Sequence, residues 1–104
     1  MALLILLLII ELSTGTPEER VINASEVESI IRAGGPAEFD DCTILGYLNL
    51  RELKIERPVH FNDTVFLDSV NFESTIFNST AYFSYSHFKG NADFLGSEFS
   101  DTAY

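Results

Sequence analysis

The sequence predicts an all-β solenoid of about three coils, closed at its N-terminal end by a short helix, on three observations. The phenylalanines Phe61, Phe66, Phe72, Phe77, Phe83, Phe88, Phe94 and Phe99 follow one another at steps of 5, 6, 5, 6, 5, 6 and 5 residues. Two positions before each stands a small or β-branched residue: Val59, Thr64, Val70, Thr75, Ala81, Ser86, Ala92 and Ser97. A separation of two puts both side chains on one face of an extended chain. Between the pairs lie turn-forming residues, among them Asp63, Asp68, Ser69, Ser74, Asn78, Ser79, Gly90, Asn91, Gly96 and Asp101. An 11-residue period held this long belongs to stacked coils, each burying its apolar side only against its neighbours.

Taken in chain order, the first element is an apolar run from Ala2 to Ile10, followed by Glu11, Leu12 and Ser13-Thr14-Gly15-Thr16. The run is too short for the ~20 residues of a membrane-spanning helix and has the length of a signal-peptide core. Residues 1–15 are read as a signal peptide cleaved before Thr16, with a retained N-terminal anchor as the alternative; no Lys or Arg precedes the apolar run. Residues 16–36 form a capping segment with a helix over about 24–33. Asn23 is placed to cap it, Glu26 falls at its third position, and Ile22 faces Val27 as a staple. Val27, Ile30 and Ile31 make one apolar stripe, and Gly34-Gly35-Pro36 ends the helix. Such a helix hides the open edge of the first coil.

Residues 37–104 are the solenoid. Steps of 11 back from Val59 and Phe61 reach Leu48 and Leu50, then Ala37 and Phe39. Steps back from Thr64 and Phe66 reach Leu53 and Ile55, then Cys42 and Ile44. Six full units cover 37–102, and Ala103 opens a seventh. Leu48 and Leu53, large where later units are small, suit a first coil packed against the helix. Tyr104 falls one residue short of the next expected Phe, so the solenoid is expected to continue beyond 104, or its last coil to pair end to end with a second copy.

Val70-Asn71-Phe72-Glu73-Ser74, Ala81-Tyr82-Phe83-Ser84-Tyr85 and Ala92-Asp93-Phe94-Leu95-Gly96 resemble the five-residue unit of the pentapeptide-repeat family. The resemblance covers about two thirds of the chain and departs from the family in one respect, an extra residue in every second unit. It implies a right-handed, four-sided β-helix, with 22 residues to a coil here. It also implies a sharp functional alternative, since some members are acidic rods that imitate DNA in the binding site of type II topoisomerases.

Composition fits one packed domain: 46 % hydrophobic and 12 % aromatic residues, with three Pro and no Trp. A lone Cys42 at an inward position reads as a small buried hydrophobe. No catalytic, cofactor-binding or metal-binding residue stands out. His60 and His87 both fall on outward positions with no Cys or carboxylate at ligand spacing, and no nucleophile elbow or phosphate loop is present. The chain is read as not an enzyme, with no cofactor. A net charge of −10 disfavours direct binding to nucleic acid or anionic membrane.

Asn23-Ala24-Ser25, Asn62-Asp63-Thr64 and Asn78-Ser79-Thr80 are N-glycosylation sequons, and Asn62 and Asn78 each follow an inward Phe. At 22 residues a coil, His60, Tyr82 and Tyr104 stack on one outer face and Asn49, Asn71 and Asp93 on another. Such outer columns either bind a partner or brace the sheet. The reading is a secreted or cell-surface, non-enzymatic scaffold of the cell envelope, whose partner is a protein or an envelope component. Two alternatives stand beside it, the acidic DNA mimic and the N-terminal part of a larger membrane-attached protein.

Overall fold

A strand two residues long survives only when stacked on others, and eleven of the thirteen strands among the described residues are that short. The computed structural model describes residues 20–104. Strand β1 (Arg20–Asn23) leads into helix α1 (Ala24–Arg32). Twelve short strands follow: β2 (Ala37–Glu38), β3 (Cys42–Leu45), β4 (Leu48–Asn49), β5 (Lys54–Ile55), β6 (Val59–His60), β7 (Val65–Phe66), β8 (Val70–Asn71), β9 (Ile76–Phe77), β10 (Ala81–Tyr82), β11 (His87–Phe88), β12 (Ala92–Asp93) and β13 (Glu98–Phe99). They form four parallel sheets, in the orders β1-β3-β7-β11, β2-β6-β10, β4-β8-β12 and β5-β9-β13. These are the four walls of a solenoid, consistent with a right-handed β-helix.

Every wall keeps one register. Ala37 lies on Val59 and Val59 on Ala81, Ile44 on Phe66 and Phe66 on Phe88, Leu48 on Val70, and Ile55 on Phe77. The three coils therefore run 37–58, 59–80 and 81–102, and Ala103 makes an isolated bridge back to Ala81. Backbone hydrogen bonds pass from coil to coil along the corners as well, as from the Phe61 N–H to the Tyr82 carbonyl at 2.8 Å.

The inward side chains meet in columns. Phe61 stacks between Phe39 and Phe83, each 5.5 Å away between centroids; Phe66 lies on Phe88 at 4.6 Å, Phe72 on Phe94 at 4.8 Å and Phe77 on Phe99 at 4.7 Å. Phe61, Phe66, Phe72 and Phe77 are completely buried. Phe83, Phe88 and Phe94 are only half-buried, and Phe99 is 40 % exposed. The eight rings thus share one interior but not one environment, since among the described residues no coil lies beyond the third to cover its rings.

The extra residue of every second unit has a definite place. The five-residue steps turn through one left-handed residue: Asp41, Glu52, Asp63, Ser74 and Tyr85, with φ between 52° and 59°, and then Gly96 at 67°. The six-residue steps run through 45–47, 67–69 and 89–91 on one side, and 56–58, 78–80 and 100–102 on the other. There the longer corner turns without a left-handed residue, apart from Gly46 at φ 95°. Two corner types alternate, and the solenoid stays four-sided.

At the N-terminal end β1 pairs with β3, Arg20 opposite Cys42, which covers one edge of the first coil. Helix α1 then lies across the coil with Ala24, Val27 and Ile31 buried, and Ile22 and Ile30 packed on the same core. The helix ends at Arg32, one residue earlier than the pattern suggested, and Ala33 is its C-cap. Asn23 stands at the N-cap, but its side chain makes no capping hydrogen bond. Its backbone belongs to β1, opposite Leu45, and that pairing sets its conformation. Residues 1–15, read as signal peptide or anchor, and residues 16–19 of the capping segment lie outside the described residues.

Candidate interaction surfaces

The four outer walls differ in chemistry because each repeats its own column of outward residues. On the β2-β6-β10 wall His60 stacks on Tyr82 at 4.6 Å and Tyr82 on Tyr104 at 5.3 Å, with interplanar angles of 13° and 6°. The stacked rings turn their faces to one another, so the column presents mostly ring edges; only Tyr104, 62 % exposed, is widely open. The Nδ1 of His60 lies 4.0 Å from the Asp40 carboxylate, and both groups are partly exposed. His87, on the β1-β3-β7-β11 wall, is exposed.

On the β4-β8-β12 wall the column is Asn49, Asn71 and Asp93. Each side chain turns back on its own corner: the N–H groups of Arg51, Glu73 and Leu95 donate to the side-chain oxygens of Asn49, Asn71 and Asp93. These residues set turns. The β1-β3-β7-β11 wall is mixed, with Val21, Thr43, Val65 and His87 as its outward column; Val21 is exposed and Val65 half-buried, while Leu45, Leu67 and Tyr47 add exposed apolar surface at its edge.

The three sequon asparagines occupy different settings. Asn23 is exposed at the start of α1. Asn62 is half-buried, and its side-chain oxygen accepts the Ser84 N–H at 2.8 Å, while its own N–H donates to Asp40. Asn78 is exposed, and its amide donates to the Glu56 carboxylate at 2.6 Å. Cys42 is buried, and burial pushes its thiol above its ordinary value against the opposing pull of Arg20. Among the described residues no group of His, Cys, Asp and Glu is arranged to hold a metal ion.

One concavity went unnoticed in the sequence. Between the end of α1 and the free edge of β5 lies a groove of about 440 Å³, lined by Ile31, Leu53 and Ile55 at its base and by Arg32, Lys54 and Arg57 among its rim residues. Its floor is the first-coil core seen from the side the helix leaves uncovered. Arg57 is held there by donating to the Gly34 carbonyl at 3.3 Å, and Arg32 by donating to the Asn49 carbonyl at 3.0 Å. A signal was present in the sequence: four of the six Lys and Arg residues fall between 32 and 57 of an acidic chain.

No curated protein and no solved structure matches the chain. The family described as pentapeptide repeats does match, in 9 copies over residues 61–104. The first coil lies outside the matched stretch, yet it continues the same columns without a break, Ala37 beneath Val59 and Ile44 beneath Phe66. With small and large inward residues stacked at a fixed offset on four parallel walls, residues 61–104 carry pentapeptide repeats, and the match supports a pentapeptide-repeat protein.

Proposed function

We propose that the protein is a non-enzymatic scaffold, exported to the cell surface or envelope, that holds a protein or envelope component against its outer walls. The carrying observation is that the repeats spend their inward residues on packing and their corner residues on turns, leaving whole walls of fixed side chains as the surface available for contact. Repeat proteins of this family are generally structural or interaction proteins. Export rests on the Ala2–Ile10 apolar run and the small residues before Thr16, with support from three sequons. The test is fractionation of cells producing the full chain, with N-terminal sequencing and intact mass. The reading expects the protein in the envelope or medium, beginning at Thr16; a cytosolic protein retaining Met1 would overturn it.

The net charge of −10 favours a second reading, an acidic mimic that occupies the DNA site of a type II topoisomerase. Three coils at ~4.8 Å each are roughly 15 Å tall, short against a useful length of duplex. A supercoiling assay decides it: inhibition at stoichiometric protein supports mimicry, and unaltered supercoiling removes it. The bare rings of the third coil suit either further coils of a larger, membrane-attached protein or a second copy placed end to end. Sedimentation of the 104-residue chain separates monomer from dimer.

A further inference from the structure

We infer that the groove between α1 and β5 binds an acidic, extended segment of a partner protein, which adds to the free edge of β5 as one more strand. This site rests on the scaffold reading and gives it a location. Three features meet there and nowhere else among the described residues.

The first is an unpaired backbone. β5 is the terminal strand of the β5-β9-β13 sheet, as β2 and β4 are of theirs. The edge of β4 is covered, because Glu28 accepts the Asn49 N–H at 2.9 Å and Arg32 donates to the Asn49 carbonyl. β5 has no such cover. Its neighbours Ile76 and Asn78 donate to the carbonyls of Leu53 and Ile55 from the second coil. The alternation of a parallel ladder therefore turns the Lys54 N–H and carbonyl to the strand-free side. α1 stops at Arg32, and Gly34, with φ 77°, swings the chain away into β2 before it reaches this edge.

The second is an apolar floor of Ile31, Leu53 and Ile55, which takes one or two apolar side chains of an added strand. The third is charge. Arg32, Lys54 and Arg57 stand against one rim carboxylate, Glu56, so the groove is a cationic spot on a chain of net −10. Lys54 reaches Glu56 only at 3.8 Å with both side chains exposed, a pairing of little strength. Each arginine donates one hydrogen bond to a carbonyl and has a guanidinium of five N–H groups, so it is held in place with donors to spare. An Asp or Glu beside the apolar side chain fits that rim, and a basic or neutral segment does not.

The test is selection of random ten-residue peptides displayed on phage against the immobilised full chain, followed by fluorescence anisotropy with the enriched peptides. The expected motif alternates apolar residues with Asp or Glu. Binding should fall at least about tenfold in Arg57→Glu and weaken with added salt. Because Arg57→Glu also removes the bond to Gly34, Lys54→Glu is the second variant: it touches only the exposed Glu56, and it should weaken binding while leaving the circular dichroism unchanged. Enrichment without acidic residues, or binders indifferent to both variants, overturns the site. Enrichment of peptides matching residues 1–19 gives the groove to the chain itself, and a dimer that Lys54→Glu dissolves gives it to a second copy; both overturn the partner segment. Any of these results leaves the scaffold reading to its own fractionation test.

Discussion

Phe72 and Phe99 are both inward rings, in different columns, and differ in what covers them. Phe72 is fully buried, with Phe77 at 5.5 Å, Phe83 at 5.9 Å and Phe94 at 4.8 Å. Phe72→Ala should cost about 3–5 kcal/mol in urea unfolding, whereas Phe99→Ala, at the bare end, should cost about 1 kcal/mol. Corner strain acts at the same scale. Tyr85 is 83 % exposed and left-handed at φ 58°, where Gly stands one corner later. A bulky residue there costs roughly 1–2 kcal/mol that Asn largely avoids. Tyr85→Asn should therefore raise stability by up to about 1 kcal/mol, and Tyr85→Val should lower it. Cys42 ties stability to pH. Burial raises its thiol above the ordinary value of 9.0, so the folded state keeps a proton that the unfolded chain gives up. Stability is full below that value and falls as pH rises through it; Cys42→Ala should remove this alkaline slope, measured by thermal melts from pH 7 to 10.

At the scale of elements, the cap matters through its side chains more than through its length. Glu28 and Arg32 stand in for a missing strand, receiving the N–H and supplying the carbonyl partner that Asn49 would find in another coil. Glu28→Ala should cost about 1–3 kcal/mol and speed hydrogen exchange at the Asn49 amide, while Glu26→Ala, exposed in the first turn, should leave that amide unchanged. Much of this level was legible in advance. The Phe ruler gave the coils and their register, because inward pairs two apart admit one face only. Gly34 and the Val27–Ile31 stripe marked the helix and its end. What stayed hidden depends on contacts that the ruler does not encode. Asn23 reads as a capping side chain, but the backbone of β1 sets its geometry. Thr64 and Thr75 read as small fillers; their buried hydroxyls donate to the carbonyls of Phe39 and Leu50 at 2.7 and 2.6 Å, lacing one coil to the one before. The groove needs the helix end and β5 together, residues more than twenty apart in sequence.

Across the whole molecule the interior is graded, from complete burial of Phe61, Phe66, Phe72 and Phe77 to the open ring of Phe99. Because each coil is held only by its neighbours, stability should be graded in the same sense. Native-state hydrogen exchange of the 104-residue chain should show the amides of β6 to β9 slowest and those of β11 to β13 fastest; uniform protection across the three coils would mean that the third is covered in solution. Gly90 fixes how closely the second and third coils can approach. A Cβ there would meet the Ser69 nitrogen at 2.7 Å and the Asp68 carbonyl carbon at 2.8 Å, both backbone atoms.

The constant offset between strand partners carries a last consequence. A single residue inserted within a strand, where no longer corner can absorb it, would shift the side chains that follow out of their columns, trading inside for outside. An insertion of one whole turn's worth would lengthen it without disturbing a contact elsewhere. Such a protein grows or shrinks most readily in whole storeys, and tolerance to insertions should follow that integer rule when the inserted storey brings its own inward pairs.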